Sequence, residues 1–325
     1  MKHLSTIGSG IAALTLIAGA VPAAAAYPER AITVIVPFAA GGPGDTVARI
    51  VGEHMARTLG QPIVVENVTG AGGTIGITRG SQAKADGYTI MLGQMGTHGA
   101  APAQYPNLKY DPAKDFAPIG MIAATPIAII AKKAFPANSL KEFVDYIKKN
   151  QDTVVEAHAG VGSISHTTCS LLQSIIGTKT ARVAYRGTGP SLNDLVAGQV
   201  DFGCDQIVNV APQIQAGTIK AFGIASAERS AAMRDVPTTK EAGLPEFEVS
   251  AWLALFAPKD TPEKVVDRLN DALVKALDDE GTRKRLLELG SVIPDQAGRS
   301  PDVLQKLVVR EIARWMQILK PTNGQ

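Results

Sequence analysis

Four times along this chain a β-rich apolar run breaks into a glycine-rich loop and passes straight into a helical pattern: "PFAAGGPGDT", "ENVTGAGGTIG", "AHAGVGSISH" and "AYRGTGPSL". Strands that alternate with helices build a mostly parallel sheet with helices on its faces, because a parallel connection needs a crossover and a helix supplies it. "AITVIVPF" reads as a buried parallel strand, and Val47, Ile50, Val51, Met55 and Leu59 then mark one helix face at 3.6-residue spacing. "PIVVEN" gives a second strand, "TIGITRGSQAKA" a helix and "YTIMLG" a third strand, completing a βαβαβ unit. Further strands are expected at "APIGMIA", "IAIIAK", "TVVEAHA", "ARVAYR", "QVDFGCD", "IKAFGIA" and "VSAWLALFAP". Further helices are expected at "SLKEFVDYIKKN", "SISHTTCSLLQSIIG", "GPSLNDLVAG" and "NVAPQIQAG". From Thr261 to Lys320 the pattern turns almost wholly helical. One stripe runs through Val265, Val266, Leu269, Leu273 and Leu277, and another through Val303, Leu304, Leu307, Val308, Ile312, Trp315 and Leu319. Helices with no strand left to cover must pack on a sheet already made, so the tail is expected to close the first domain.

Ahead of this pattern stand a single lysine, an apolar run from Ile11 to Val21 and an alanine tract, the build of a cleavable export signal. The run is well short of the roughly 20 residues that a membrane helix needs. Ala24, Ala25 and Ala26 fit the small-residue cleavage pattern, so the cut is placed after Ala26 and residues 1–26 are set aside. The absence of a cysteine near the cut argues against a lipid anchor, and no later run is long enough to span a bilayer, so no direct membrane anchor is expected. What remains of the 325 residues exceeds the size at which one core usually suffices, and two domains follow. The expected division is 27–124 and 248–325 for the first and 125–247 for the second. Lys and Arg number 32 against 30 Asp and Glu, with neither sign gathered into a block. Nucleic acid and acidic membrane surfaces both call for a basic footprint, so both are excluded as partners.

In open α/β sheets ligands bind beyond the carboxyl ends of the strands, where helix N-termini converge. The first N–H groups of a helix lack intrahelical partners and carry partial positive charge, so glycine-rich strand-to-helix turns bind anions without lysine or arginine. Asp45 and Ser163 are good N-caps, and capping is the favoured role of Asp45, since a carboxylate facing an anion would repel it. Ser163 can cap and also donate to a ligand oxygen, with His166 one turn further on. That pair also suggests a hydrolase, yet G-x-S-x-G is absent. Thr97 and Thr188 are loop hydroxyls, either ligand donors or plain turn residues. Arg186 either clamps a carboxylate or is solvated. Asp205 follows a strand that ends at the cleft; it either accepts from a ligand donor or bonds the neighbouring loop. "GAGGTIG" suggests a dinucleotide site, but the next strand leads into Gln94 and Met95 with no acidic group for a ribose, and no Walker motif occurs. No cofactor is expected. Cys169 and Cys204 supply too few ligands for a metal and, in an exported chain, allow one disulfide inside the second domain; two buried thiols are the alternative.

The export signal, "YPERAITVIVPFAAGGPGDTVAR", "VVENVTGAGGTIG", "GVGSISH", "AYRGTGPSLNDLVAGQVDF" and the helical tail together resemble the Bug or TctC family, the periplasmic solute-binding proteins of tripartite tricarboxylate transporters. The resemblance spans essentially the whole mature chain. It implies a monomeric type II periplasmic-binding fold, two α/β domains joined by crossing strands, which captures a small carboxylate and delivers it to membrane permease subunits. A sensor for a membrane signalling partner would use the same cleft. By this resemblance Phe38, Ala40, Gly41, Gly42 and Thr46, with Gly72, Gly73 and Thr97, belong to the ligand site, the first-domain loops holding one carboxylate mostly through main-chain N–H groups and water. The second domain would add Ser163, His166, Thr188, Gly189 and Asp205. "CDQ" at 204–206 departs from the small or apolar residues common there, which bears on which acid is bound.

Overall fold

The computed structural model describes residues 27–226, 228–230 and 232–319; the expected export signal lies outside them. In chain order the elements are β1 (Ile32–Val36), α1 (Pro43–Leu59), β2 (Ile63–Asn67), α2 (Thr74–Ser81), β3 (Thr89–Gln94), a wide helical turn (Met95–Ala100) running into α3 (Ala101–Gln104), and β4 (Phe116–Lys132). Then come α4 (Leu140–Asn150), β5 (Val155–His158), α5 (Ile164–Ile176), β6 (Ala181–Ala184), α6 (Thr188–Val196), β7 (Phe202–Gln206), α7 (Ile207–Gln215) and β8 (Ile219–Ile224). The chain closes with β9 (Ser250–Pro258), α8 (Glu263–Asp278), α9 (Glu280–Glu288) and α10 (Pro301–Ile318).

Two half-sheets share one long strand. In the first, β2, β1 and β3 are parallel and β9 lies antiparallel between β3 and β4. In the second, Ile127–Ala131 of β4 pair with β7 and Ala128–Lys132 with β8, while β5 and β6 extend the sheet beyond β7. The separate strands expected at "APIGMIA" and "IAIIAK" are therefore one strand that passes between the lobes at Pro126. Proline removes a ladder donor but suits extended backbone. At Pro126 the pairing with β9 ends, opposite Ser250, and that with β7 begins at the next residue. The loop expected after β3 is instead helical, its first turn closed by reciprocal bonds between Gln94 and Thr97. The helix in "TIGITRGSQAKA" stops at Ser81.

The helices bury the apolar stripes that their spacing dictates. On one face of the first half-sheet α1 packs against α8, with Val47, Val51 and Met55 meeting Leu269, Leu273 and Leu277 in one core. On the other face α10 lies along β4 and the turn after β3, burying Leu304, Val308 and Trp315, whose indole donates to Glu311 at 3.0 Å. The helical tail thus covers the sheet made by the first third of the chain. It is less continuous than the pattern suggested, with a break between α9 and α10 that holds only a short turn at Gln296–Arg299. Val303, in the first turn, is 40% exposed rather than part of the buried stripe. The carboxyl ends of β1 and β3 consequently face those of β5 and β7.

Candidate functional site

Between those strand ends lies a cavity of about 160 Å³. It is several times the space one water requires and below the range of drug-sized ligand pockets, so it suits a small solute. The first lobe lines it with the loop Phe38–Gly44 and with Gln94; the second adds Ala159, the residues Ser163–Ser165, the residues Gly187–Pro190, Asp205 and Gln206. Helices α1, α5, α6 and α7 all begin at this wall, and among the described residues no lysine, arginine or histidine lines it. The positive potential there comes from helix N-termini.

The cap of α1 is Gly42, with Pro43 in the first helical position; Asp45 is the third residue of the first turn and is not the N-cap. Its carboxylate reaches back to accept the Gly41 N–H at 2.9 Å, and also accepts from Arg49 Nε at 2.9 Å and Asn67 Nδ2 at 3.0 Å. Burial pushes its pKa up, but the bonds from Arg49, Gly41 and Asn67 outweigh that and hold it below the ordinary carboxylate value. The Gly42 N–H donates to Ala39 O at 3.2 Å. The expectation that Gly41 and Gly42 present free N–H groups is thus corrected. Gly41 takes a φ of +78°, which side chains avoid, and turns its N–H inward to Asp45. Both residues, with Phe38 and Ala40, still line the cavity. The first-turn donors without an intrahelical partner are Gly44 and Asp45, since Thr46 already donates to Gly42 O and does not line the cavity.

In the second lobe Ser163 caps α5, its hydroxyl accepting the His166 N–H at 3.2 Å. The same Oγ lies 3.1 Å from Ser165 Oγ, which accepts the Ala159 N–H at 2.9 Å. The His166 ring is absent from the cavity wall. Its Nδ1 accepts from Gly162 N–H and from Gln104 Nε2, both at 3.3 Å, and Nε2 stands 3.5 Å from Arg182. Burial, then the neighbouring His158 ring and the Arg182 charge, hold its pKa down to about 3. Both sequence-based roles for His166 are thereby corrected: it bonds Ser163 only through its main chain, so no Ser–His relay exists, and its ring braces one lobe against the other. Thr188 and Gly189, in the first turn of α6, line the cavity. Asp205 Oδ1 accepts from Gln206 N–H at 2.7 Å and Asn209 Nδ2 at 2.8 Å. Burial pushes its pKa up to about 6 against the pull of Asn209, Gln206 and Thr188.

Gly72, Gly73 and Arg186 line a neighbouring opening between the same lobes. A Cβ on Gly72 would collide with Val161 O, so this glycine serves the contact between lobes. Tyr105 OH donates to Val161 O, and Gln104 Nε2 to Thr167 Oγ1 at 3.2 Å, so the lobes are shut. Thr97 is fully buried, its hydroxyl bonded to the Gln94 main chain and His98, and is placed away from the cavity. Gln94, Ser165 and Gln206 were missed by sequence reasoning. Gln94 and Gln206 end β3 and β7, so the strand-end rule that singled out Asp205 also reaches them. Cys169 of α5 is bonded to Cys204 of β7, with the Cα atoms 5.3 Å apart, which joins the element carrying Ser163 and Ser165 to the one carrying Asp205.

A small cavity shut between two α/β lobes that share a crossing strand, ringed by helix N-termini, defines a type II periplasmic binding fold. A model of the tripartite tricarboxylate transporter family receptor matches residues 47–323. MatC from Rhodopseudomonas palustris, solved with bound malate, is 48% identical with a TM-score of 0.87, covering 90% of this chain and all 100% of that one. The periplasmic binding protein BugD is 42% identical with a TM-score of 0.85, over 90% of this chain and 97% of BugD. A further R. palustris protein, solved with adipate, is 31% identical with a TM-score of 0.85, over 90% and 97% of the two chains. The chain belongs to this TctC or Bug family of periplasmic solute-binding proteins. No helix among the described residues is long and apolar enough to cross a membrane.

Proposed function

We propose that the chain is exported to the periplasm with cleavage after Ala26, closes its two lobes on a small dicarboxylate and delivers it to the membrane permease of a tripartite tricarboxylate transporter. Its lobes correspond to residues 27–124 with 248–325, and to 125–247. One observation carries the choice of ligand: four helix N-termini meet at a cavity whose lining includes no cationic side chain. Such a wall stabilises carboxylate oxygens through main-chain N–H groups, each charge-assisted bond contributing about 1.5–3 kcal/mol. The malate and adipate in the two R. palustris relatives agree with an acid of this size class.

A thermal-shift screen tests the reading with mono- and dicarboxylates set beside sugars and neutral amides. Saturation at about 100 times the dissociation constant should add about 2.7 kcal/mol of apparent stability, seen as a shift of several degrees. Shifts confined to carboxylates are expected. A protein stabilised by sugars or amides and by no acid would overturn it.

A further inference from the structure

We propose that Asp205 decides which dicarboxylates the cavity accepts: it favours an acid carrying a hydroxyl or ammonium donor beside its carboxylates and rejects a plain dianion, and this preference fades in acid. The inference rests on the carboxylate-receptor reading and assigns the chemical class of its ligand.

Asp205 ends β7 in the cavity wall, 7% exposed. Its two short hydrogen bonds, from Gln206 N–H and Asn209 Nδ2, both end on Oδ1, and the Thr188 hydroxyl beside the carboxylate also favours the charged form. Among the described residues no cationic side chain compensates the carboxylate. From α7 it faces Asn209, from α6 Thr188 and Ser191, from α5 Ser163 and Ser165, and across the cavity the glycine loop and Gln94. Ionisable side chains on adjoining elements are spoken for: Glu156 pairs with Arg182, Asp194 accepts from Tyr185 OH, and burial keeps His166 uncharged. Asp45 is neutralised by Arg49, and His158 is kept uncharged by burial, its Nδ1 accepting the Gly160 N–H. An acid drawn in by the helix N-termini therefore meets a second carboxylate that only a donor, or a proton, reconciles with it. A ligand hydroxyl or ammonium supplies the donor. A plain dianion must bring a proton with it, because like charges at close range cannot both remain ionised.

Calorimetry with malate, aspartate and succinate at about pH 8 and about pH 5, in buffers of different ionisation enthalpy, reads both arms of this choice. For the wild type, malate or aspartate should bind about thirtyfold or more tightly than succinate at the higher pH, and within about threefold of it at the lower. Succinate binding near neutrality should take up about one proton, and binding of the favoured acid close to none. Asp205→Asn, checked by its melting temperature, should tighten succinate, weaken malate or aspartate, and abolish the proton uptake near neutrality, leaving only the pH dependence of the acids' own ionisation. The wild-type pH series stands without the variant. Binding of all three acids with no dependence on donor, pH or variant overturns this role for Asp205 and leaves the carboxylate receptor intact. Binding of none of them by either protein overturns both.

Discussion

The two walls of the cavity are made of different material. From the first lobe come Phe38–Gly44, main chain with small or apolar side chains, and one amide, Gln94; of its nearby ionisable groups the one carboxylate, Asp45, is turned inward and neutralised. From the second come hydroxyls, an amide and an uncompensated acid: Ser163, Ser165, Thr188, Gln206 and Asp205. Main-chain donors at a helix start meet any carboxylate in the same way, whereas side chains can be exchanged without disturbing the fold. The first wall, almost all main chain, is thus suited to holding what all ligands of this kind share, and the second, which sets side chains on three further helix starts, to choosing among them as well. The disulfide strengthens the contrast, since it joins α5 to β7 in the choosing wall.

Removing that bridge should have the largest effect, and on stability. The double substitution Cys169→Ala with Cys204→Ala is expected to cost about 3–4 kcal/mol by the chain-entropy account, measured by urea titration. Two titratable thiols in unreduced, denatured wild type would remove the basis of that prediction. Next is Gly42→Val in the main-chain wall. Gly42 has a φ of −76°, and an added Cβ would meet only Ala39 O, at 3.2 Å, so the apo protein should fold. The bulk enters the ligand's space, and losing two charge-assisted bonds lowers affinity for every acid by about 100-fold or more. Ser163→Ala in the facing wall should be milder, about tenfold in affinity with about 1 kcal/mol lost from the α5 cap, and it should weaken different acids unequally. If Gly42→Val discriminates between acids and Ser163→Ala does not, the division of labour is reversed. The smallest effect is expected outside both walls: Tyr105→Phe removes one bond that holds the lobes shut and should weaken all acids alike, by about threefold.

The alternation of strand and helix and the cluster of glycine-rich turns were legible in the sequence because each follows from local periodicity or composition. So were the cavity positions of Ser163, Thr188 and Asp205, which follow from strand ends and helix starts, while those of Phe38, Ala40, Gly41, Gly42 and Gly189 came with the family resemblance. What escaped depended on where a hydrogen-bonding group turns. Nothing local says that Gly41 donates to Asp45 rather than to a ligand, since that depends on Asn67 from another strand and on a left-handed backbone. Likewise the His166 ring follows Gln104, which lies far away in the chain and meets it only when the lobes close. Gly72 and Thr97 look like binding residues in sequence because inter-lobe contacts and helix turns use the same small and hydroxylated residues.

The central claim is that main-chain donors at helix starts hold a charged acid without a cationic side chain. Calorimetric titration of the wild type with malate and with its neutral diamide, equal in size and shape, tests it most directly. Loss of two charge-assisted bonds predicts that the diamide binds at least about 100-fold more weakly. Equal affinities for the two would contradict the account.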